Sequence, residues 1–150
     1  MIRQATLTDL PECSRLIQKI VQEEISSHYP SGVIDAWLEY VTPERLETEM
    51  STTNFIVYED GDKILGVGAI KGSHIKKVYT RFGYRDSGIG TDLTTQLEQI
   101  ARRNGHDKCS VHSTQNAVGF YAKLGYQSQR EIPLEPVELG ETLIEMVKQI

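Results

Sequence analysis

Apolar and polar positions along this chain follow two periods, and each change of period marks the boundary of an element. Where apolar residues recur every three or four positions we predict a helix, and where they alternate or form short runs between turn residues we predict a strand. Glycine, proline and asparagine separate these segments. The predicted elements are, in chain order, strand 2–5, helix 9–24, a helical region in two pieces at 33–40 and 43–50, strands 55–58, 63–70 and 75–80, helix 89–103, strand 108–112, helix 116–124, and strands 126–132 and 142–148.

This order, β-α-α-β-β-β-α-β-α-β-β, predicts one mixed-sheet domain of the α/β (α+β) class over residues 1–150. The three middle strands read as a meander, and residues 133–140 connect the last two strands. The final strand, 142–148, has an edge on which a second copy could pair, so we expect a homodimer to be possible. Thr42 is the predicted N-cap of the helix at 43–50.

Composition and charge exclude several classes of function. A hydrophobic fraction of 39% and a charged fraction of 25% are ordinary for a soluble globular protein. The net charge of -5 argues against nucleic acid and is weakly compatible with an amine ligand. No apolar run approaches the roughly 18 residues of a membrane span. With no signal pattern at the N-terminus, we expect a cytoplasmic protein. Cys13 and Cys109 make neither a disulfide framework nor a metal site.

Two glycines and an arginine lie where the helix at 89–103 begins. Unpaired N–H groups at a helix start, together with its positive dipole end, bind phosphate. Gly88 and Gly90 allow the backbone to approach a pyrophosphate, and Arg85 adds a charged donor. The segment therefore predicts a site for a phosphate-bearing cofactor.

Two familiar nucleotide-binding loops fit this segment poorly. A Walker loop needs Gly-Lys-Ser/Thr at the helix start, whereas Gly90 is followed by Thr91 and an aspartate. A Rossmann fingerprint needs a third small residue where this chain has Leu93, and it normally opens the first βα unit rather than following three strands.

A second segment, together with the glycine-containing loop at 85–90, resembles a known protein family. Arg85-Asp86-Ser87-Gly88-Ile89-Gly90 resembles the Arg/Gln-x-x-Gly-x-Gly/Ala motif of the GNAT superfamily of N-acetyltransferases. The run from Asn116 to Tyr126, which contains Phe120-Tyr121 and Gly125, is similar to the second motif of that superfamily. The element order fits along nearly the whole chain, although the N-terminal third matches only in pattern.

The resemblance implies a GNAT-type fold with acetyl-CoA as acyl-donor cosubstrate, and a small amine or a peptide or protein amine as acceptor. It places the pantetheine arm beside the strand at 75–80 and the pyrophosphate on the loop amides. Asn116 corresponds to a position that commonly contacts the cofactor, and it equally suits an N-cap of the helix that it opens. The cofactor-binding residues so implied are Val78, Tyr79, Thr80, Arg85, Ser87, Gly88, Ile89, Gly90, Thr91 and Asn116.

Transfer from a thioester to an amine needs a neutral amine, a donor to the oxyanion and a proton for the departing thiolate. Tyr121 corresponds to the usual acid tyrosine of the family, and the alternative is a core aromatic residue. His74 lies just before the strand at 75–80, where many relatives carry a glutamate base, and the alternative is a surface turn histidine. A backbone N–H near Tyr79 or Thr80 is the expected oxyanion donor.

Acceptor recognition in this superfamily draws on the first helices and their loop. The candidates there are Glu24, His28, Tyr29 and Trp37, of which Glu24 equally suits a solvated helix face and Trp37 simple packing. The sequence thus predicts direct transfer of acetyl from acetyl-CoA to a primary amine. A second hypothesis stays open, in which the domain binds acyl-CoA as a sensor without turnover.

Overall fold

The computed structural model describes residues 1–134 and 141–150. The predicted connection at 133–140 therefore lies largely outside the described residues. The elements are β1 Ile2–Gln4, α1 Leu10–Ile20, α2 Ser31–Tyr40, α3 Pro43–Met50, β2 Asn54–Asp60, β3 Lys63–Lys71, β4 His74–Thr80, α4 Ile89–Arg103, β5 Lys108–Ser113, α5 Val118–Lys123, β6 Gln127–Pro133 and β7 Thr142–Gln149. Short 3-10 turns at Leu7–Asp9 and Gln115–Ala117 precede α1 and α5, and a π-helical turn at Val21–Ile25 continues α1.

The strands form one mixed sheet in the order β1-β2-β3-β4-β5-β7-β6, which confirms the predicted fold class. Neighbouring strands are antiparallel except β4 and β5, which are parallel. These two strands pair only at His74 with Ser110 and at Ile75 with Val111. From Lys76 to Thr80 the β5 side of β4 therefore has no strand partner within the described residues, and the sheet opens there.

Helices cover both faces of the sheet, so the apolar core is in two layers. On one face α1, α2 and α3 pack on β2 and β3, with Leu16, Ile17 and Leu46 fully buried or nearly so. On the other face α4 and α5 pack across the centre of the sheet, with Leu93 and Leu97 fully buried. Cys13 and Cys109, both free thiols, lie one in each layer.

Glycine at position 66 allows α4 to approach the sheet closely. A Cβ atom on Gly66 would lie 2.7 Å from Cγ2 of Ile89 and 2.8 Å from Cδ1 of Leu93. Both distances are well inside van der Waals contact, so only glycine lets the first turns of α4 sit on β3. This contact sets the distance between the N-terminus of α4 and the sheet.

Several element boundaries differ from the prediction for local reasons. Helix α2 begins at Ser31 rather than at 33, because the carbonyl of Pro30 accepts the N–H groups of Val33 and Ile34. His74 lies within β4 rather than in a turn, since its backbone pairs with Lys71 on one side and Ser110 on the other. The predicted N-cap of α3 is confirmed, because Oγ1 of Thr42 accepts the N–H of Arg45 at 3.3 Å.

The prediction that the last strand offers a pairing edge is wrong. Strand β7, Thr142–Gln149, lies between β5 and β6 and pairs with both. After β6 the chain turns back and β7 lies between β5 and β6, so that β6 is the strand at that edge of the sheet. Pairing through residues 142–148 in a homodimer is therefore ruled out. Across the two described segments, no helix is both long and apolar enough to cross a membrane.

Candidate active site

A cleft of about 910 Å³ follows the opening between β4 and β5. One wall is the loop before α4 and the first turn of that helix, and the opposite wall includes the turn before α5 and α5 itself. The π-helical turn and α2 close the cleft on the face of the sheet that carries α1. Of the sequence-predicted residues, Val78 to Thr80, Arg85, Ser87 to Thr91, Asn116, Tyr121, His74, Glu24 and Trp37 line it.

The loop before α4 presents unpaired backbone donors to this cleft. Within the described residues, none of the N–H groups of residues 85 to 91 donates a hydrogen bond. Gly88 has φ +86° and would have no atom within 4 Å of an added Cβ, and Asp86 adopts φ +64°. A non-glycine residue in this left-handed region is strained, and such strain collects at functional sites. The loop thus has the donors and the open space that a pyrophosphate needs.

The second glycine of the motif has a different role from the first. Gly90 lies in the first turn of α4, where an added Cβ would lie 3.1 Å from Cζ of Phe120 and 3.5 Å from Oγ1 of Thr80. Gly90 therefore lets β4, α4 and α5 meet at one point. This contact joins the two walls of the cleft.

Asn116 lies inside the 3-10 turn before α5 and is exposed to the cleft. The cap position of that turn is occupied by Thr114 and the cap position of α5 by Ala117, so Asn116 caps neither element. The N-cap interpretation of Asn116 is therefore wrong, and its amide is left facing the cleft.

Tyr121 is a buried side chain, 6% exposed, that still contributes to the cleft lining. Its ring contacts Phe120 at 5.0 Å and Tyr126 at 5.6 Å between centroids, both edge to face, so packing fixes its orientation. Among the described residues, its hydroxyl oxygen is not one of any buried polar atoms left without a hydrogen-bond partner, and the residue contributes to the cleft lining. Burial raises the pKa of Tyr121 above the usual value of a phenol, so the hydroxyl stays protonated at neutral pH.

Trp37 and Tyr79 form a hydrogen-bonded pair on the α2 side of the cleft. The indole Nε1–H of Trp37 donates to the hydroxyl oxygen of Tyr79 at 3.2 Å. An indole can only donate, so this bond occupies a lone pair of the phenol and leaves its proton free to donate elsewhere. Burial raises the pKa of Tyr79 to about 12, which keeps that proton in place. The side chain of Tyr79 therefore offers a donor, in addition to the backbone role predicted for this residue.

Two of the predicted acceptor residues lie outside the cleft lining. His28 is exposed in the loop between the π-helical turn and α2. Tyr29 is buried, and its hydroxyl accepts the N–H of Gln115 at 3.2 Å while its ring contacts Trp37 at 6.0 Å between centroids. Tyr29 thus holds the loop before α2 onto the turn before α5, and it positions the wall rather than facing a ligand.

His74 lies at the closed end of the opening, with a small polar cluster around it. Its Nδ1 is 2.8 Å from Oγ of Ser110, and its ring meets that of His112 at 4.3 Å between centroids. Burial, followed by the charges of His112 and Lys76, lowers the pKa of His74 to about 4, against an opposing effect of Glu145. The imidazole is therefore neutral near pH 7 and able to accept a proton, although as a weak base.

Charged residues at the cleft are mostly paired. Nη2 of Arg85 lies 3.1 Å from Oε2 of Glu24, which joins the cofactor loop to the π-helical turn. Nζ of Lys77 lies 2.8 Å from Oε1 of Glu49 on α3. The carboxylate predicted to meet an amine is thus already bound to the arginine predicted to meet a phosphate.

Sequence reasoning missed Lys76, Ser110 and His112. The register between β3 and β4 shifts so that Ala69 pairs with Lys77 and Ile70 with Ile75, which makes Lys76 the extra residue of a β-bulge. No residue of the sequence signals this bulge. Phe120 was part of the quoted motif, and its contact with Gly90 gives that position a physical reason.

The chain is similar to known acetyltransferases along most of its length. Residues 17–149 match the family model described as an acetyltransferase (GNAT) domain. An acetyltransferase of Streptococcus pyogenes is 29% identical over 104 residues, which cover 66% of this chain and 70% of the relative.

Solved structures show the same architecture. A GCN5-related N-acetyltransferase from Rhodopseudomonas palustris superposes with a TM-score of 0.88 at 20% identity, covering 100% of this chain and 95% of that one. The PaiA N-acetyltransferase of Thermoplasma acidophilum, solved in complex with coenzyme A, gives a TM-score of 0.84 at 20% identity, covering 100% and 98%. At such identity the likeness extends to the fold alone.

Proposed function

The chain belongs to the GNAT acetyltransferase family, and on that basis we propose that it transfers an acetyl group from acetyl-CoA to a primary amine by direct attack. The observation that carries the proposal is the loop of unpaired N–H groups at 85–91, which faces Tyr121 across the opening between β4 and β5. Acetyl-CoA supplies a thioester whose carbonyl carbon the amine nitrogen attacks and whose C–S bond then breaks.

Each wall of the cleft has a part in this assignment. The amides of Ser87 to Thr91 and the guanidinium of Arg85 hold the pyrophosphate, and Asn116 donates from the opposite wall. The unpaired side of β4 from Val78 to Thr80 holds the pantetheine arm, since its backbone groups there have no strand partner. One of these backbone N–H groups is the donor to the oxyanion.

Proton transfer involves two side chains. Tyr121 holds a proton at Oη, and its raised pKa keeps that proton until a thiolate is formed beside it. The imidazole of His74, which is neutral near pH 7, accepts at a ring nitrogen the proton that the amine loses. The acceptor site lies between β4 and the π-helical turn, with Trp37 and Glu24 at its wall.

We test the cofactor assignment by calorimetry with acetyl-CoA on the intact protein and on Gly88→Glu. The added carboxylate enters open space at the loop, so we expect binding to be lost by repulsion of the pyrophosphate rather than by misfolding. Gly61→Glu is the matched control, because Gly61 also has a positive φ of +64° and no atom within 4 Å of an added Cβ, yet it lies in the β2–β3 turn. Equal binding by both variants would refute the loop assignment.

Turnover is tested by release of the CoA thiol in the presence of an amine. We expect Tyr121→Phe to lower kcat about 100-fold, within the usual range for removal of a general acid, while the affinity for acetyl-CoA is unchanged. Binding of acetyl-CoA by the intact protein without thiol release from any amine would favour the sensor hypothesis.

A further inference from the structure

The charges that line the cleft differ in sign from those of the protein as a whole. The chain carries a net charge of -5, but the cleft lining is predominantly basic. Its acids are Glu24 and Asp86, and its lysines and arginine are Lys76, Lys77, Arg85 and Lys123. Part of this charge lies at the cofactor loop, so the acceptor end has to be considered separately.

Along β4, the ion pairs among the described residues leave Lys76 without a counter-ion. Glu49 neutralises Lys77, and Arg85 neutralises Glu24. Glu145 is held by Arg130, with Nε of the arginine at 3.3 Å. Lys76 makes no ion pair within residues 1–134 and 141–150.

The backbone directs Lys76 to this position. It is the extra residue of the β4 bulge and also the first residue after the last pair between β4 and β5. A bulge re-aims the side chain of the strand that carries it. Lys76 therefore lies where the sheet begins to open, and its charge reaches both His74 and His112, whose pKa values it lowers.

A cation at this point discriminates between acceptors. It repels a second ammonium group on the ligand and attracts a phosphate or a carboxylate.

We propose that the acceptor of this enzyme carries an anionic group, a phosphate or a carboxylate, close to its reacting amine, and that Lys76 binds this group. The proposal rests on the acetyltransferase function proposed above. It disfavours polyamines and other polycations as acceptors.

The test uses amines that differ only in the anionic group. Lysine is compared with cadaverine, which lacks the carboxylate, and glucosamine 6-phosphate with glucosamine, which lacks the phosphate. Binding is followed by fluorescence of Trp37, the single tryptophan of the chain and part of the cleft lining, and turnover by thiol release from acetyl-CoA. The two pairs distinguish a carboxylate from a phosphate as the preferred group.

We expect the anionic member of at least one pair to bind about tenfold more tightly than its partner, the effect of one charge-assisted contact. In Lys76→Gln this preference should fall to about twofold or less, whereas Lys108→Gln, an exposed lysine on β5 outside the cleft, should retain it. Equal or tighter binding of cadaverine and glucosamine would overturn the proposal, as would a preference that survives in Lys76→Gln or the failure of all four amines to bind. Calorimetry with acetyl-CoA distinguishes a failure of this proposal from a failure of the proposed acetyltransferase function, because only the latter is contradicted by an absence of acetyl-CoA binding.

Discussion

Replacement of His74 by glutamine is expected to make the protein more resistant to acid. Burial beside His112 and Lys76 lowers the pKa of His74 from an ordinary 6.5 to about 4. The folded state therefore resists protonation of this ring, while the unfolded state accepts it. Above the pKa of His74 in the unfolded state, the ring is neutral in both states and the free energy of unfolding is unaffected. As pH falls from 6.5 towards 4, the unfolded state takes up the proton first, so the free energy of unfolding decreases.

The size of the effect follows from the two pKa values. Between about pH 7 and pH 5, linkage gives an upper limit of roughly 2 kcal/mol of lost stability from this one ring. Because His74 is only partly buried, solvent screening reduces the effect, and we expect about 1 kcal/mol. Glutamine retains a polar group beside Ser110 but cannot take up a proton in this range, so His74→Gln removes the contribution.

Urea unfolding at the two pH values measures this directly. The loss of unfolding free energy between about pH 7 and pH 5 should be about 1 kcal/mol smaller in His74→Gln than in the unchanged protein. His28→Gln, which removes an exposed imidazole outside the cleft, is the control and should behave as the unchanged protein. Identical losses in all three proteins would show that His74 is not held neutral by its surroundings.

Two further predictions concern packing and the acceptor wall. Gly66→Ala should lower the free energy of unfolding, measured in urea, by about 2 kcal/mol, because its Cβ would lie 2.7 Å from Cγ2 of Ile89. The control Gly119→Ala, whose Cβ would have no atom within 4 Å, should be neutral or stabilising. Equal effects of the two substitutions would contradict the packing argument. Tyr79→Phe should raise KM for the acceptor amine about tenfold through loss of the hydroxyl donor, and Trp37→Phe about threefold through loss of the N–H that orients it. The double variant should be no worse than Tyr79→Phe alone, and additive effects would show that the indole does not act through the phenol.

Local chemistry made the glycines of the loop before α4 predictable from sequence. The positive φ of Gly88 and the close contact at Gly90 are backbone requirements that leave only glycine in the chain. The same holds for Thr42, whose capping bond joins residues three apart. The element order followed from the apolar periodicity, and the observed helix starts differ from the predicted ones by no more than one turn.

The part of the cleft formed by α2 and the β4 bulge depends on contacts between distant residues, and no local pattern encodes them. Trp37 reaches Tyr79 across 42 residues, Tyr29 reaches Gln115 across 86, and the β4 bulge follows from a register that needs β3 as its partner. The position of β7 between β5 and β6 is equally non-local, which is why a strand at the end of the chain was expected at an edge of the sheet.

Both ends of the cleft trace to one feature, the short pairing of β4 with β5. If the two strands stayed paired to Thr80, the backbone groups on that side of β4 would be satisfied by β5 and would not be free to bind a ligand. Pairing ends after Ile75, where the bulge at Lys76 turns β4 away from its neighbour, and α4 and α5 fill one side of the resulting gap with Ile89, Phe120 and Tyr121. In the proposed assignment, the same break in the sheet therefore opens the channel for the cofactor and places Lys76, which has no ion pair among the described residues, at its inner end. Both proposals thus depend on a single interruption in the hydrogen bonding of the sheet.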